Sequence, residues 1–309
     1  MSNIIFLSGA LRSGTTMLHL ILDHHPSLMN PGEFDFLFDY LGENGNEPSI
    51  SAYHQHLSLD RIFLAKNLNL NPDLNYHEQI IDFTQQLQVE NKLLILNIHR
   101  NFHHALHYFP DAKFIHLVRD PRDVARSSIG MGWAGNVYYG VDHWIKTEES
   151  WNQINTRLKN EQFIELRYED VVLSPNLQLK KLCNFLDVDF SNKMLEYNSS
   201  STYEAPDPSL TFQWKKKQSI REVELVEYKT KPLILQYNYE LLHPEPRSAS
   251  PIEKTMLTLK NKLSKVSFSI NRYGINLYLL NQLSRRLRIM TIQKRCQKKM
   301  NGIDKNHVR

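Results

Sequence analysis

Four short runs of almost uninterrupted apolar residues constrain this chain most. They fall at 4–7 (Ile-Ile-Phe-Leu), 92–98, 113–118 and 163–166, and each is followed by a segment with helical spacing. A strand with no polar alternation is buried on both faces, and strands that alternate with helices are joined by crossovers. The expected fold is therefore α/β, a P-loop-like parallel sheet flanked by helices. Helices are expected at 15–25, within 49–90 with a break near Asn71-Pro72, at 101–108, 122–128, 142–158, 177–186 and 223–235. Residues 203–217, with two prolines and three successive lysines, read as a loop. Pro244-Glu245-Pro246 and Ser248-Ala249-Ser250 read as a linker, which divides the chain into a main domain, 1–245, and a C-terminal basic helical extension, 246–309.

Charge separates these two parts. From Glu253 onward there are 14 Lys or Arg against two Asp or Glu, a net +12, so the remainder of a chain whose total is +4 carries −8. Two amphipathic basic helices are expected in the tail, at 252–265 and 275–300, with Leu277, Leu280, Leu283 and Leu287 along one side. Packing on the body, an anionic membrane surface met through 252–309, and a homodimer are the partners this pattern suggests; nucleic acid is not expected. Two cysteines, Cys183 and Cys296, make a disulfide framework unexpected, and no secretory pattern opens the sequence. The setting read from this is cytoplasmic, peripheral to the inner face of the membrane if the tail binds there.

Between the first strand and the first helix stands Ser8-Gly9-Ala10-Leu11-Arg12-Ser13-Gly14-Thr15-Thr16. A loop entering a helix N-terminus aims backbone N–H groups outward and favours an anion. Gly14 permits close approach, Arg12 adds a planar donor fork, and Thr15 and Thr16 add hydroxyls. Gly14 is followed by Thr15 rather than Lys, which speaks against magnesium–triphosphate chemistry. After the third strand, Arg119-Asp120-Pro121-Arg122-Asp123 leads to Ser127, about two helical turns further on. Arg119 with Ser127 suits a second phosphate; alternatively Arg119 and Arg122 pair on the surface with Asp120 and Asp123. His103, His104 and His107 have no carboxylate at a matching spacing, and no metal is expected. Trp133, Tyr138, Tyr139 and Trp144 are either core or the wall of a pocket.

Together and in this order, the two motifs resemble the sulfotransferase family that uses 3′-phosphoadenosine 5′-phosphosulfate. Tyr168-Glu169-Asp170, Trp214-Lys215 and Tyr239-Glu240-Leu241 add to the resemblance, which covers residues 3–242. It is similar to the bacterial and tyrosylprotein-type branch, given Arg12 and the Gly32-Glu33 that follows His25-Pro26. The resemblance implies transfer of a sulfuryl group from that donor to an acceptor hydroxyl of a carbohydrate, lipid or other alcohol. It implies Arg12, Ser13, Gly14, Thr15 and Thr16 at the 5′-phosphosulfate, Arg119, Ser127 and Tyr168 at the 3′-phosphate, and Lys215 closing over the nucleotide. It also implies a general base, Glu33 or His99. One departure stands out: Asn97 occupies a place where relatives carry Lys, and Arg100 is a candidate replacement for that cation. A catalytically silent nucleotide-binding protein and a P-loop kinase are the competing readings.

Overall fold

The computed structural model describes residues 4–199 and 207–305. Residues 203–206 of the expected loop lie outside them; 207–217 hold a turn, Pro208–Leu210, and a one-turn helix, Trp214–Lys217. All four expected strands form: β1 (Ile4–Ser8), β3 (Leu93–Ile98), β4 (Lys113–Val118) and β5 (Phe163–Arg167), with a two-residue β2 (Leu28–Met29) that the sequence pattern was too short to show. Their order is β2-β3-β1-β4-β5, and every pairing is parallel. All five residues of β1 are buried, as its unbroken apolar run requires of a central strand.

The helices that frame the crevice and its surroundings are α1 (Thr15–Asp23), α2 (Pro121–Gly130), α3 (Asp142–Asn155) and α4 (Ile220–Gln236), and those of the tail are α5 (Pro251–Tyr273), α6 (Ile275–Arg286) and α7 (Met290–Lys305). Leu18, Ile21 and Leu22 of α1 pack into one core with Ile5 and Leu7 of β1; Phe6 points the other way into a second core rich in aromatic rings. The period-2 alternation of β1 thus feeds both faces of the sheet. α2 starts where Asp120 accepts from the Arg122 N–H and Pro121 takes the first position. Trp144 of α3 lies in a third core with Val118 and Tyr237, and its indole N–H donates to the Arg119 carbonyl, 3.1 Å.

The tail departs from expectation. Its first helix runs on to Tyr273, where Gly274, at φ 80°, ends it. The expected second helix is two, broken where Arg288 adopts φ 55°. Neither Gly nor Pro marks that break in the sequence, so periodicity carried straight through it. α5 docks on the segment before α3. Tyr139 and Thr258 share a hydroxyl–hydroxyl bond of 2.6 Å, and the Gly135 N–H donates to the Asn261 side chain, 2.7 Å. A Cβ at Gly135 would fall 2.6 Å from that of Ser264, so the close approach depends on glycine. Of the four aromatic residues with two readings, Trp144 is core, and Trp133 and Tyr139 border the recess filled from the tail side by Asn261 and Lys265.

β4 carries one charged core group. His116 is fully buried, stacked 4.1 Å from Trp151, with ring nitrogens 3.1 Å from Glu148 and from Glu165. Burial alone would lower its pKa, but the Glu148 charge and hydrogen bonds outweigh burial and push it up to about 9 from 6.5. Because the folded state holds this proton more tightly than the unfolded chain, the stabilisation is complete below pH 6.5 and is lost as pH rises through 9. The thermal midpoint is expected to fall across that interval. His116→Gln should be less stable at pH 6 and should show a flatter decline; an equally steep decline in the variant would rule this group out as the cause.

Candidate active site

The carboxyl ends of β1, β3 and β4 open side by side, and the side chains that could bind an anion collect there. The Ser8–Thr16 loop leaves β1 and enters α1 with Gly14 at φ 93° and no side-chain cap or first-turn acid. The first N–H groups of α1 therefore meet the crevice without a side-chain acceptor of their own. A Cβ on Gly14 would fall 2.3 Å from the Tyr168 ring, so glycine is what lets the loop lie against Tyr168. Arg12 adopts φ 74°, a left-handed conformation that costs a non-glycine residue about 1–2 kcal/mol. This twist turns the Arg12 Nε to Ser127, 2.9 Å away. Ser13 is buried, and its hydroxyl has no hydrogen-bond partner among the described residues.

Arg119 closes the other side. Its guanidinium lies 4.2 Å from the centre of the Tyr168 ring, donates to the carbonyls of Arg12 (3.2 Å) and Leu210 (3.0 Å), and sits 3.8 Å from Asp123. Arg12, Ser127, Arg119 and Tyr168, spread over 157 positions of sequence, are thus one contiguous cluster. Arg122 behaves differently. It is buried rather than paired on the surface. It meets Asp120 through two bonds (2.9 and 2.7 Å) and Glu227 at 2.7 Å, and lies 3.8 Å from the Trp214 ring centre. Arg122 therefore ties α2 to α4, whereas Arg119 faces the crevice. Burial pushes Asp123 up to about 6 despite the opposing charge of Arg119. Lys215 leans over the rings of Phe212 and Trp214 and lines a recess with Arg122, Arg167 and Tyr239 that includes neither Arg12 nor Arg119.

Glu33 and Asn97 are paired through the backbone. The Asn97 N–H donates to the Gly32 carbonyl (3.0 Å), and the Phe34 N–H to the Asn97 carbonyl (2.8 Å). The short turn beginning after Phe34 has no side-chain cap, so Glu33 is not capping it. Glu33 lines a cleft of about 540 Å³ together with Thr16, His19, Arg61 and Lys66, and Asn301 and Lys305 of α7 reach it from the tail. The Asn97 side-chain oxygen accepts from Asn30, 2.9 Å.

His99 is placed otherwise. It is 2% exposed, with Nδ1 2.8 Å from Asp35 and Nε2 3.1 Å from the Thr15 hydroxyl. Burial would lower its pKa, but the Asp35 charge and hydrogen bond outweigh this and raise it; burial would raise the Asp35 carboxyl, and His99 holds it low instead. This buried pair was missed in the sequence, where Asp35 stands between Phe34 and Phe36 with no local sign of its partner. Arg100 is engaged with Asp39 through Nε (2.7 Å) and Nη2. Of the three clustered histidines, His107 gains a carboxylate that spacing did not reveal: Glu47, His77 and His107 bring one donor atom each within 4.8 Å of one another.

A parallel sheet of this order, with an anion-directed loop after β1 and a cationic cluster after β4, is suited to binding an anionic ligand, and the family follows from the comparisons. The model described as "Sulfotransferase family" matches residues 4–192, and the chain belongs to that family. It is a sulfotransferase. Among curated proteins it is 23% identical to the omega-hydroxy-beta-dihydromenaquinone-9 sulfotransferase Stf3 of Mycobacterium tuberculosis, over 80% of this chain and 78% of that one. It is also 23% identical to a protein-tyrosine sulfotransferase of Drosophila melanogaster, over 63% of this chain but 40% of that protein. The sulfotransferase domain of the Synechococcus PCC 7002 olefin synthase shares the fold at a TM-score of 0.57 and 21% identity, covering 74% of this chain and 96% of that one. The corresponding domain from the curacin biosynthetic pathway does so at 0.55 and 23%, covering 78% and 99%.

Proposed function

We propose that the enzyme takes its sulfuryl group from 3′-phosphoadenosine 5′-phosphosulfate and passes it to a hydroxyl of an acceptor held in the Glu33 cleft. The observation that carries this is the pair of anion sites on one crevice, the α1 N-terminus with Arg12 and the Arg119–Tyr168 stack. The residues suit the donor: an uncapped helix start, the buried Ser13 hydroxyl lacking a partner among the described residues, and a second cation for a second phosphate. Arg12, Ser13, Gly14, Thr15 and Thr16 hold the 5′ end, and Arg119, Ser127 and Tyr168 hold the 3′-phosphate. Glu33 takes the acceptor proton, because its carboxylate lines the cleft whereas His99 is sealed beneath Thr15. His99, pinned by Asp35, positions Thr15. Lys215 contributes through its recess at the nucleotide's edge. Titration calorimetry should show the 3′,5′-bisphosphate binding at least tenfold more tightly than the 5′-monophosphate, since one charge-assisted contact amounts to about 1.5–3 kcal/mol. Equal affinity for the two would remove Arg119 from the site.

The acceptor side points to a membrane. α6 buries Asn281 and Ser284 and turns Leu279, Leu280 and Leu283 outward, while α5 exposes Met256, Leu259 and Leu263. Apolar side chains facing out among Lys and Arg, on a tail of net +12, match an anionic lipid surface. No helix among the described residues is long and apolar enough to cross a bilayer. α7, which follows these helices, brings Asn301 and Lys305 to the Glu33 cleft, so the same tail contributes to both surfaces. The 309-residue chain is expected to sediment with vesicles containing anionic phospholipid and to be released by salt, whereas a chain ending at 249 stays in the supernatant. A concentration-dependent dimer in place of vesicle binding would assign the exposed leucines to a second copy instead.

A further inference from the structure

We infer that Lys66 is a catalytic cation of this enzyme, its ammonium contacting the sulfuryl oxygens during transfer. The inference rests on the reading of the Glu33 cleft as the acceptor side of the site. Transfer moves negative charge: the acceptor oxygen forms a bond to sulfur, the bond from sulfur to the bridging oxygen breaks, its electron pair stays on the 5′-phosphate of the bisphosphate, and the acceptor proton passes to the Glu33 carboxylate. The three non-bridging sulfuryl oxygens carry charge throughout, and a preorganised cation beside them lowers the barrier only if it faces the space between the α1 N-terminus and Glu33.

Lys66 meets that condition. It follows the short turn Phe63–Ala65 and projects into the cleft shared by Thr16, His19 and Glu33. The Nζ donates to the Pro31 carbonyl, lies 4.9 Å from the centre of the Phe34 ring, and would be 3.4 Å from a Cβ at Gly32. It therefore spans the backbone on both sides of Glu33. His19, which shares the cleft, is three residues beyond Thr16 and so on the same face of α1. An ammonium has three N–H groups, and the Pro31 carbonyl is the one hydrogen-bond partner found for Lys66 among the described residues. Burial lowers its pKa and the Glu33 charge opposes the fall, as expected of a cation withdrawn from solvent beside a carboxylate. Arg100 is locked to Asp39; Arg61 and Lys305 line the same cleft, but among the described residues Lys66 is the cation that bonds the backbone beside Glu33. Asn97 supplies no charge at the end of β3, so the cation reaches the site from a different element.

The test compares binding of the sulfated donor with that of the 3′,5′-bisphosphate, which lacks the sulfuryl group. Lys66→Met should leave bisphosphate affinity within about twofold while weakening the donor about tenfold, the loss of one charge-assisted contact. Release of labelled sulfate to water or acceptor should fall about a hundredfold, and Lys66→Arg should restore part of both. Donor and bisphosphate weakened equally, or a donor affinity unchanged by Lys66→Met, overturns the inference. If the Met variant unfolds, Lys66→Gln takes its place: normal donor binding with unaltered transfer in the absence of the charge contradicts the inference. Failure of the unmodified protein to bind either nucleotide overturns instead the reading of the site on which the inference rests.

Discussion

Arg12→Ala is expected to lower sulfuryl transfer about a thousandfold, the upper range for removing one donor aimed at developing charge. On the proposed function Arg12 offsets the charge that the bridging oxygen gains as the sulfuryl group departs, and its twist brings it to Ser127 on the other side of the crevice. A second substitution separates charge from backbone. At φ 74° glycine is the unstrained residue, so Arg12→Gly should be at least as stable as Arg12→Ala yet equally slow. Arg12→Lys should recover part of the rate, because it restores a point charge without the fork that meets Ser127 and the ligand together. Steady-state rates with thermal midpoints for the three variants check this. A slow Arg12→Ala beside a fast Arg12→Gly would mean that strain, and not charge, was what the substitution changed.

Glu33→Gln is expected to cut turnover by about 100- to 10,000-fold, the usual range for loss of a general base, with bisphosphate affinity unchanged. The substitution is nearly isosteric, and Glu33 is fixed through its backbone neighbours Gly32 and Phe34, so the fold should not respond. His99→Ala is expected to behave differently. It leaves the buried Asp35 carboxylate with the backbone N–H of residue 99 but without the imidazole, so stability falls, and the loss of rate should come with weaker donor binding through Thr15. Normal turnover in Glu33→Gln combined with inactivity and full nucleotide affinity in His99→Ala would reverse the two roles.

Much of the framework was legible because it is written in contiguous residues. The apolar runs of β1, β3, β4 and β5 are each long enough to be read, and Ser8 to Thr16 and Arg119 to Ser127 carry their chemistry within single segments. What was hidden depends on contacts between distant parts of the chain. Asp35 is flanked by Phe34 and Phe36, and nothing local shows that it faces His99 across 64 positions. Lys66 lies in a segment that reads only as interrupted helix, and its value comes from Pro31 and Phe34 beside it. In the sequence Arg119 is the phosphate candidate, and Arg122 enters only as a possible surface partner of Asp120 or Asp123. Packing separates them, one beneath Trp214 and the other on the Tyr168 face of the crevice. In the tail, the leucine spacing announced an apolar side but not its direction, and burial of Asn281 and Ser284 shows that the side faces outward.

On the proposed function, one crevice grips a nucleotide with two separated phosphates and passes its sulfuryl group to a hydroxyl delivered through the Glu33 cleft. The decisive experiment incubates the 309-residue chain with sulfur-labelled 3′-phosphoadenosine 5′-phosphosulfate and a membrane extract of its own host. Label should move into an extractable hydroxyl-bearing acceptor, 3′,5′-bisphosphate should accumulate in equal amount, and Glu33→Gln should suppress both. Label that stays on the nucleotide, together with no thermal shift on adding the bisphosphate, would contradict it.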